Sequence, residues 1–219
     1  MSERSGNQDI WIINSMDYAE QSSSLTQLTN NGSNDHHPAW SPDGNHIAFV
    51  SDRSGVDLIY TISPDGTGLT QITTGDVNDS HPTWSPDSSQ IAFSRDDEIW
   101  MINADGTNLT QITSGSVEHY IDPVWSSDGS QVAFTKSLYV DEVAIMDKDG
   151  SNQEVITTSG KDKLPAWSWK TNKLVFVSQR NDTGFGIRII DTNGSNDNVY
   201  IDNEETYIGL LSLYRNHHH

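Results

Sequence analysis

Four histidines stand in short polar stretches that also carry carboxylates. "NDHHP" (Asn34 to Pro38) holds His36 and His37, "NDSHP" (Asn78 to Pro82) holds His81, and "EHYIDP" (Glu118 to Pro123) holds His119 and Asp122. Imidazole beside carboxylate is a donor set for a first-row divalent metal, whereas carboxylates and carbonyls alone suit calcium. His36, His37, His81, His119 and Asp122 are therefore the candidate metal ligands, and a divalent metal cation is the candidate cofactor. Two further stretches, "KDKLP" (Lys161 to Pro165) and "NEETY" (Asn203 to Tyr207), occupy the same place with other charges. Asp35, Asp79, Glu118, Lys161 and Lys163 are accordingly the candidate contacts for a protein or peptide partner. The bland alternative is a set of solvated loop residues in which the aspartates cap turns. The terminal His217, His218 and His219 read as a purification-tag remnant and stay outside the metal argument.

These stretches sit at fixed places in a repeat. The first four precede copies of one motif, "PAWSPDG" at Pro38, "PTWSPDS" at Pro82, "PVWSSDG" at Pro123 and "PAWSWKT" at Pro165, so tryptophans recur at 40, 84, 125 and 167. After each Trp segment come an apolar run ("HIAFVS", "QIAFS", "QVAFT", "KLVFVS"), an alternating run ("DLIYTI", "EIWMIN", "EVAIMD", "GIRIID") and a fourth segment typified by "LTQIT". All are short, rich in Ile, Val, Phe, Tyr and Thr, and bounded by Gly, Asp, Asn, Ser or Pro, which is strand and turn chemistry. Four strands per repeat of about 42 residues is the blade of a β-propeller. The loop entering the first strand of each blade then gathers with its copies at one mouth of a central channel, where ligand sites commonly lie.

What every copy keeps is scaffold, and what varies is the place to look for function. The Trp supplies an apolar plate between blades, and Ser-Pro-Asp-Gly is a hairpin turn. A basic residue follows the second strand in each copy, Arg53, Arg95, Lys136 and Arg180, with Arg4 in register; pairing with the turn aspartates Asp43, Asp87 and Asp128 is the expected role. "DKDGSNQE" at Asp147 has two of the ligand types of a calcium loop without its spacing and reads as another turn. Asn-x-Ser/Thr sequences at Asn31, Asn108 and Asn193 fall in the same kind of turns.

The stretch "PAWSPDGNHIAFVSDRSGVDLIYTISPDGTGLTQIT" (Pro38 to Thr73) resembles the TolB-like family of β-propellers, whose repeat carries Trp-Ser-Pro-Asp-Gly, Ile-Ala-Phe, Ser-Asp-Arg, Ile-Tyr and Leu-Thr. The resemblance covers most of the chain. It implies a non-enzymatic propeller that binds a protein or ligand through its channel mouth, in a periplasmic or extracellular, bacterial setting. Similar propellers also occur in prolyl oligopeptidases, tricorn protease and oligogalacturonate lyases, and the lyases use a His-lined metal site at such a place. A metal-dependent polysaccharide lyase or hydrolase is thus the alternative function, and an engineered or truncated repeat fragment that assembles into a propeller is a third.

Composition narrows the partners. Asp and Glu outnumber Lys and Arg 31 to 12, for a formal charge of −19, and such a surface repels phosphate backbones, so nucleic acid is not expected. No apolar run reaches the roughly 18 residues of a membrane helix, no leader-like start is present, and cysteine is absent. Gly-x-Ser-x-Gly, His-Glu-x-x-His and phosphate-loop signatures are missing, so no enzyme is expected. The expected architecture is one domain over residues 1–216, a complete propeller or part of a longer one, followed by the tag. Five blades are expected, one of them built from both chain ends with "ETYIGLLSLYR" (Glu205 to Arg215) as a closing strand, in a monomer or in self-assembled fragments.

Overall fold

The computed structural model describes residues 6–13, 25–115, 117–158, 160–168, 170–179 and 185–202. The chain opens with a pair, β1 (Trp11–Ile13) and β2 (Leu25–Gln27). Four four-stranded antiparallel sheets follow in sequence order. The first contains β3 (Asp35–Trp40), β4 (Ile47–Ser51), β5 (Leu58–Ile62) and β6 (Thr70–Gln71), and the second β7 (Asp79–Trp84), β8 (Gln90–Arg95), β9 (Glu98–Asn103) and β10 (Thr110–Gln111). The third contains β11 (His119–Trp125), β12 (Gln131–Ser137), β13 (Asp141–Asp147) and β14 (Glu154–Val155), and the fourth β15 (Asp162–Trp167), β16 (Lys173–Ser178), β17 (Gly186–Asp191) and β18 (Asn198–Asp202). Every expected four-strand repeat is a sheet, and its strands neighbour one another in chain order. The predicted closing strand at Glu205 to Arg215, the stub at Arg4 and the basic residue Arg180 lie outside the described residues.

The fold divides into two compact units. One holds residues 1–96 and 101–110, the other residues 97–100 and 111–219. In the first, Ile10 of the opening pair packs with Ile47, Phe49, Leu58, Tyr60 and Ile62 of the β3–β6 sheet. In the second, Ala133, Val143, Ile145 and Ile156 of the β11–β14 sheet pack against Leu174, Phe176 and Ile190 of the next. The aromatic of the "IAF" run is the common core residue: Phe49, Phe93, Phe134 and Phe176 are all fully buried. Burying such a ring stabilises by about 1.5–3 kcal/mol relative to exposure.

Within each unit the Trp motif welds one sheet to the one before it. Trp84 Nε1 donates to Ala39 O at 3.1 Å in the first unit, and Trp167 Nε1 donates to Val124 O at 3.1 Å in the second. The acceptor is in each case the residue just before the preceding Trp. Trp40, the first copy, is 47% exposed, against 6% for Trp84. The turn after the Trp closes on itself: Ser41 Oγ donates to Asp43 Oδ1 at 2.5 Å, His46 N donates to Ser41 Oγ at 2.9 Å, and Gly44 N donates to Ser41 O at 2.9 Å. Asp87 and Asp128 repeat this with Ser85 and Ser126. These turn carboxyls are held below the ordinary range by the serine hydroxyls and backbone amides that donate to them, Asp87 down to about 2.

A second weld lies in the turn between third and fourth strands. Gly150 has φ +86, and a Cβ there would clash with Ile112 O, so only glycine lets this turn approach the backbone just after β10. Asp147, read as turn rather than calcium chemistry, heads this turn, with Gly150 N donating to Asp147 O and Asp147 N to Ser151 O, both at 2.9 Å.

Candidate functional site

The stretches before the tryptophans are the first strands of the sheets, and all four are kinked in the same way. The pairing register slips between His36 and Ala39, Ser80 and Thr83, Ile121 and Val124, and Lys163 and Ala166. The residue immediately before the proline takes a left-handed conformation each time: His37 at φ 50, His81 at φ 51, Asp122 at φ 56 and Leu164 at φ 55. Proline has no N–H for the ladder, and a β-bulge is where a strand can accommodate that. A non-glycine residue at positive φ costs on the order of 1–3 kcal/mol, so the surrounding pairing imposes the conformation. Sequence reasoning placed these residues in loops; proline inside an otherwise strand-like segment was the signal for a bulge.

In the first unit the bulges bring three imidazoles together. His36 Nδ1 and His37 Nδ1 are 2.7 Å apart, so one ring donates and the other accepts. The rings of His37 and His81 stack with centroids 4.2 Å apart, tilted by 45°. His36 Nε2 lies 3.6 Å from Asp57 Oδ1, a residue the sequence did not single out. Burial, reinforced by the neighbouring His81 and His36, pushes His37 from an ordinary 6.5 down to about 4, so its ring is neutral at neutral pH. Among the described residues no group of three or more His, Cys, Asp or Glu side chains is disposed to hold a metal ion. The cluster as it stands is a hydrogen-bonding and stacking surface.

The acidic candidates of this unit face inward. Asp35 is fully buried and accepts from Arg53 at 2.9 Å. Asp79, also buried, takes a two-pronged contact from Arg95, Nε to Oδ1 at 2.5 Å and a terminal nitrogen to Oδ2 at 2.8 Å, plus the Thr73 hydroxyl at 2.5 Å. Burial pushes the Asp79 carboxyl up, while Arg95 and Thr73 oppose that shift. Arg53 and Arg95 thus pair with Asp35 and Asp79, not with the turn aspartates as expected, because the turn carboxylates are already saturated by serine hydroxyls and amides. The guanidiniums also lie over aromatic faces, Arg53 4.8 Å from the Tyr60 ring and Arg95 5.3 Å from Phe93.

In the second unit one copy keeps the buried aspartate, as Asp162, and the other carries different chemistry. Tyr120 replaces the buried aspartate while keeping its backbone bond: Tyr120 N donates to Asp97 O at 2.7 Å, as Asp79 N does to Asp57 O. Asp122, on the bulge, is buried and accepts from Thr135 Oγ1 at 3.1 Å; the same hydroxyl accepts from Leu164 N at 3.1 Å. His119 is exposed and sits 2.8 Å from Asp97, and Glu118 pairs with Lys136 at 3.4 Å. Lys161 is exposed, and Lys163 Nζ lies 5.8 Å from the Phe185 ring. The hairpin between β12 and β13 adds an apolar tip, Leu138, Tyr139 and Val140, with Tyr139 93% exposed; this was not foreseen.

A threonine recurring in the repeats ties each fourth segment to a third strand. Thr29, Thr73, Thr113 and Thr157 are buried and accept the N–H of Ile10, Ile59, Ile99 and Val143 at 2.8–3.0 Å. Thr73 and Thr113 pass the bond on to buried carboxylates, Asp79 and Glu98. The last Thr of "LTQIT" is therefore a network residue rather than a generic strand former.

The family model of the TolB beta propeller domain matches residues 1–95 and 57–206. The chain belongs to the TolB β-propeller domain family. Its fold is all-β and shared with solved propellers. A putative TolB from Agrobacterium tumefaciens is 23% identical, with a TM-score of 0.70 over 80% of this chain and 69% of that one. TolB from Acinetobacter baumannii is 20% identical, with a TM-score of 0.70 over 82% of this chain and 46% of that one. An oligogalacturonate lyase from Vibrio parahaemolyticus is 14% identical, with a TM-score of 0.67 over 86% of this chain and 58% of that one. This TolB-family chain therefore spans less than two thirds of the Acinetobacter protein and of the lyase. No match was found among curated proteins. No helix among the described residues is long and apolar enough to cross a membrane.

Proposed function

We propose that this chain is a non-enzymatic binding module that takes a protein or peptide segment on the bulged first strands and their entry loops. The observation that carries this reading is the four-fold bulge: one strained backbone conformation sets His37, His81, Asp122 and Leu164 in the same frame, beside exposed entry-loop residues. A fixed frame with exchanged side chains is the arrangement of recognition surfaces, where rigid scaffolds position variable contacts. In the first unit the neutral His37 and its partners His36 and His81 offer stacking faces and ring nitrogens to a peptide. In the second, the exposed His119, Lys161 and the Leu138–Val140 tip offer charge and an aromatic anchor, the residue types that dominate interfaces. Asp35 and Asp79 hold this frame in place and do not themselves meet the partner.

The metal-dependent lyase reading, which the Vibrio neighbour suggests, requires at least three of His36, His37, His81, His119 and Asp122 on one ion. Selection of a displayed random-peptide library on tag-free chain distinguishes the two. The binding reading predicts enrichment of related peptides that survives chelator. Absence of any enriched sequence, together with manganese-dependent cleavage of polygalacturonate, would overturn it. An exported location and a monomeric state are the accompanying proposals, checked by fractionation of the native host and by light scattering.

A further inference from the structure

We infer that Asn31 is a site of spontaneous deamidation and isomerisation, set apart by its backbone from an identical sequence elsewhere in the chain. The tetrapeptide Asn-Gly-Ser-Asn occurs twice, at Asn31 to Asn34 and at Asn193 to Asn196. Asn-Gly is the most reactive pairing for this chemistry because glycine puts no side chain in the way of its own nitrogen. The Gly nitrogen attacks Cγ of the Asn side chain, the new C–N bond closes a succinimide, and the amide nitrogen leaves as ammonia with the proton given up by the Gly N–H. Water then opens either carbonyl. Opening at Cγ gives aspartate; opening at the main-chain carbonyl gives isoaspartate, with the chain rerouted through the side chain. The balance is asparagine plus water to aspartate or isoaspartate plus ammonia.

The nucleophile decides which copy reacts. At the second copy Gly194 N donates to Asp191 O at 2.9 Å, so that nitrogen is held in a turn. At the first copy no hydrogen bond from Gly32 N is present among the described residues, and both Asn31 and Gly32 are exposed. Asn31 Oδ1 accepts from Ser33 N at 3.1 Å as Asn193 Oδ1 does from Ser195 N at 3.0 Å, so this bond is common to the two copies and the state of the glycine nitrogen is what separates them.

The five Asp-Gly pairs do not compete. Gly44, Gly66, Gly106, Gly129 and Gly150 all donate their N–H to the carbonyl three residues back, at 2.9–3.0 Å. Their aspartates are held ionised by the hydroxyls and amides that donate to them, and a carboxylate is a poor electrophile.

The segment that would change leads directly into β3. Ser33 O accepts from Asn7 Nδ2 at 2.5 Å, and Asn34 is tied to Asp52 through its backbone N and its side chain, both at 2.9 Å. Isoaspartate at position 31 adds a methylene to the main chain and a carboxylate at this tether, ahead of Asp35, His36 and His37. Conversion is therefore expected to loosen the entry to the imidazole cluster, whatever that cluster binds.

The test is incubation of the full chain at mildly alkaline pH, followed by peptide mapping with mass spectrometry that separates aspartate from isoaspartate. Freeing the Gly194 N–H means breaking a hydrogen bond, so Asn31 is expected to convert about tenfold faster than Asn193 in the folded chain. In denaturant the two copies share one sequence and are expected to convert at the same rate. Equal rates in the folded chain, faster conversion at Asn193, or conversion at Asn31 only after unfolding would each overturn the inference.

Discussion

The bulges at His37 and His81 in the first unit and those at Asp122 and Leu164 in the second share a backbone and little else. All four residues lie within a few degrees of one another in φ, precede a proline, and oppose the second strand across the same register slip. Yet two are stacked imidazoles, one is a carboxylate satisfied by Thr135, and one is an aliphatic side chain. Three residues before the proline the substitution is confined to one copy: Asp35 and Asp79 are buried in ion pairs and Asp162 is buried as well, whereas Tyr120 takes the place with an aromatic ring. The lesson is that the repeat prescribes conformation, and chemistry is substituted onto it.

Breaking the frame is expected to cost far more than changing what it displays. Trp84→Ala removes the inter-sheet plate and its bond to Ala39 O, and is expected to destabilise by about 3–5 kcal/mol in denaturant unfolding. Asp79→Ala leaves Arg95 buried without its carboxylate and is expected to cost a similar ~3–5 kcal/mol. Leu164→Gly, by contrast, relieves the left-handed strain while losing a half-buried side chain, and is expected to stay within about 1 kcal/mol of the parent. If Leu164→Gly proved as damaging as Trp84→Ala, the bulge side chains would belong to the frame.

The two units should also differ in their response to acid. His37 is depressed in the folded chain, so the unfolded chain binds the extra proton, and stability falls as pH drops from about 6.5 towards 4. His37→Gln is expected to flatten that part of a stability-versus-pH curve. The turn aspartates act lower: Asp87, held down to about 2 from an ordinary 3.8, contributes stability that is present above the ordinary value and lost on the way down. Asp79, shifted upward by burial, works against both trends. The smallest effect expected is for Ser88→Gly. Ser88 sits at φ 60 where two other copies carry Gly44 and Gly129, but its Oγ accepts from Asp43 N at 3.1 Å, and the two contributions should leave thermal stability within about 0.5 kcal/mol.

Strand number, strand order, the Trp weld and the hairpin turns were legible in the sequence because they depend on local residue types repeated four times. The partners of Arg53 and Arg95 were not. A basic residue near several aspartates does not reveal which carboxylate is already occupied, and Ser41, Ser85 and Ser126 had claimed the turn carboxylates. The proximity of His36, His37 and His81 was anticipated from the repeat, but their mutual geometry follows from left-handed residues that no spacing rule signals. Asp57 and Asp97 were not assigned as histidine partners because each lies in the turn between second and third strands, near His36 and His119 only in the folded chain.

The most direct test of the account compares two sets of alanine variants for affinity toward one peptide selected on the parent chain. One set replaces displayed residues, His36, His81, His119 and Lys161; the other replaces the exposed turn residues Asp65, Asp105 and Asp149. The account predicts a loss of about tenfold or more somewhere in the first set, the usual reach of an interface contact, and none in the second. Unchanged binding throughout the first set, with loss in the second, would contradict it.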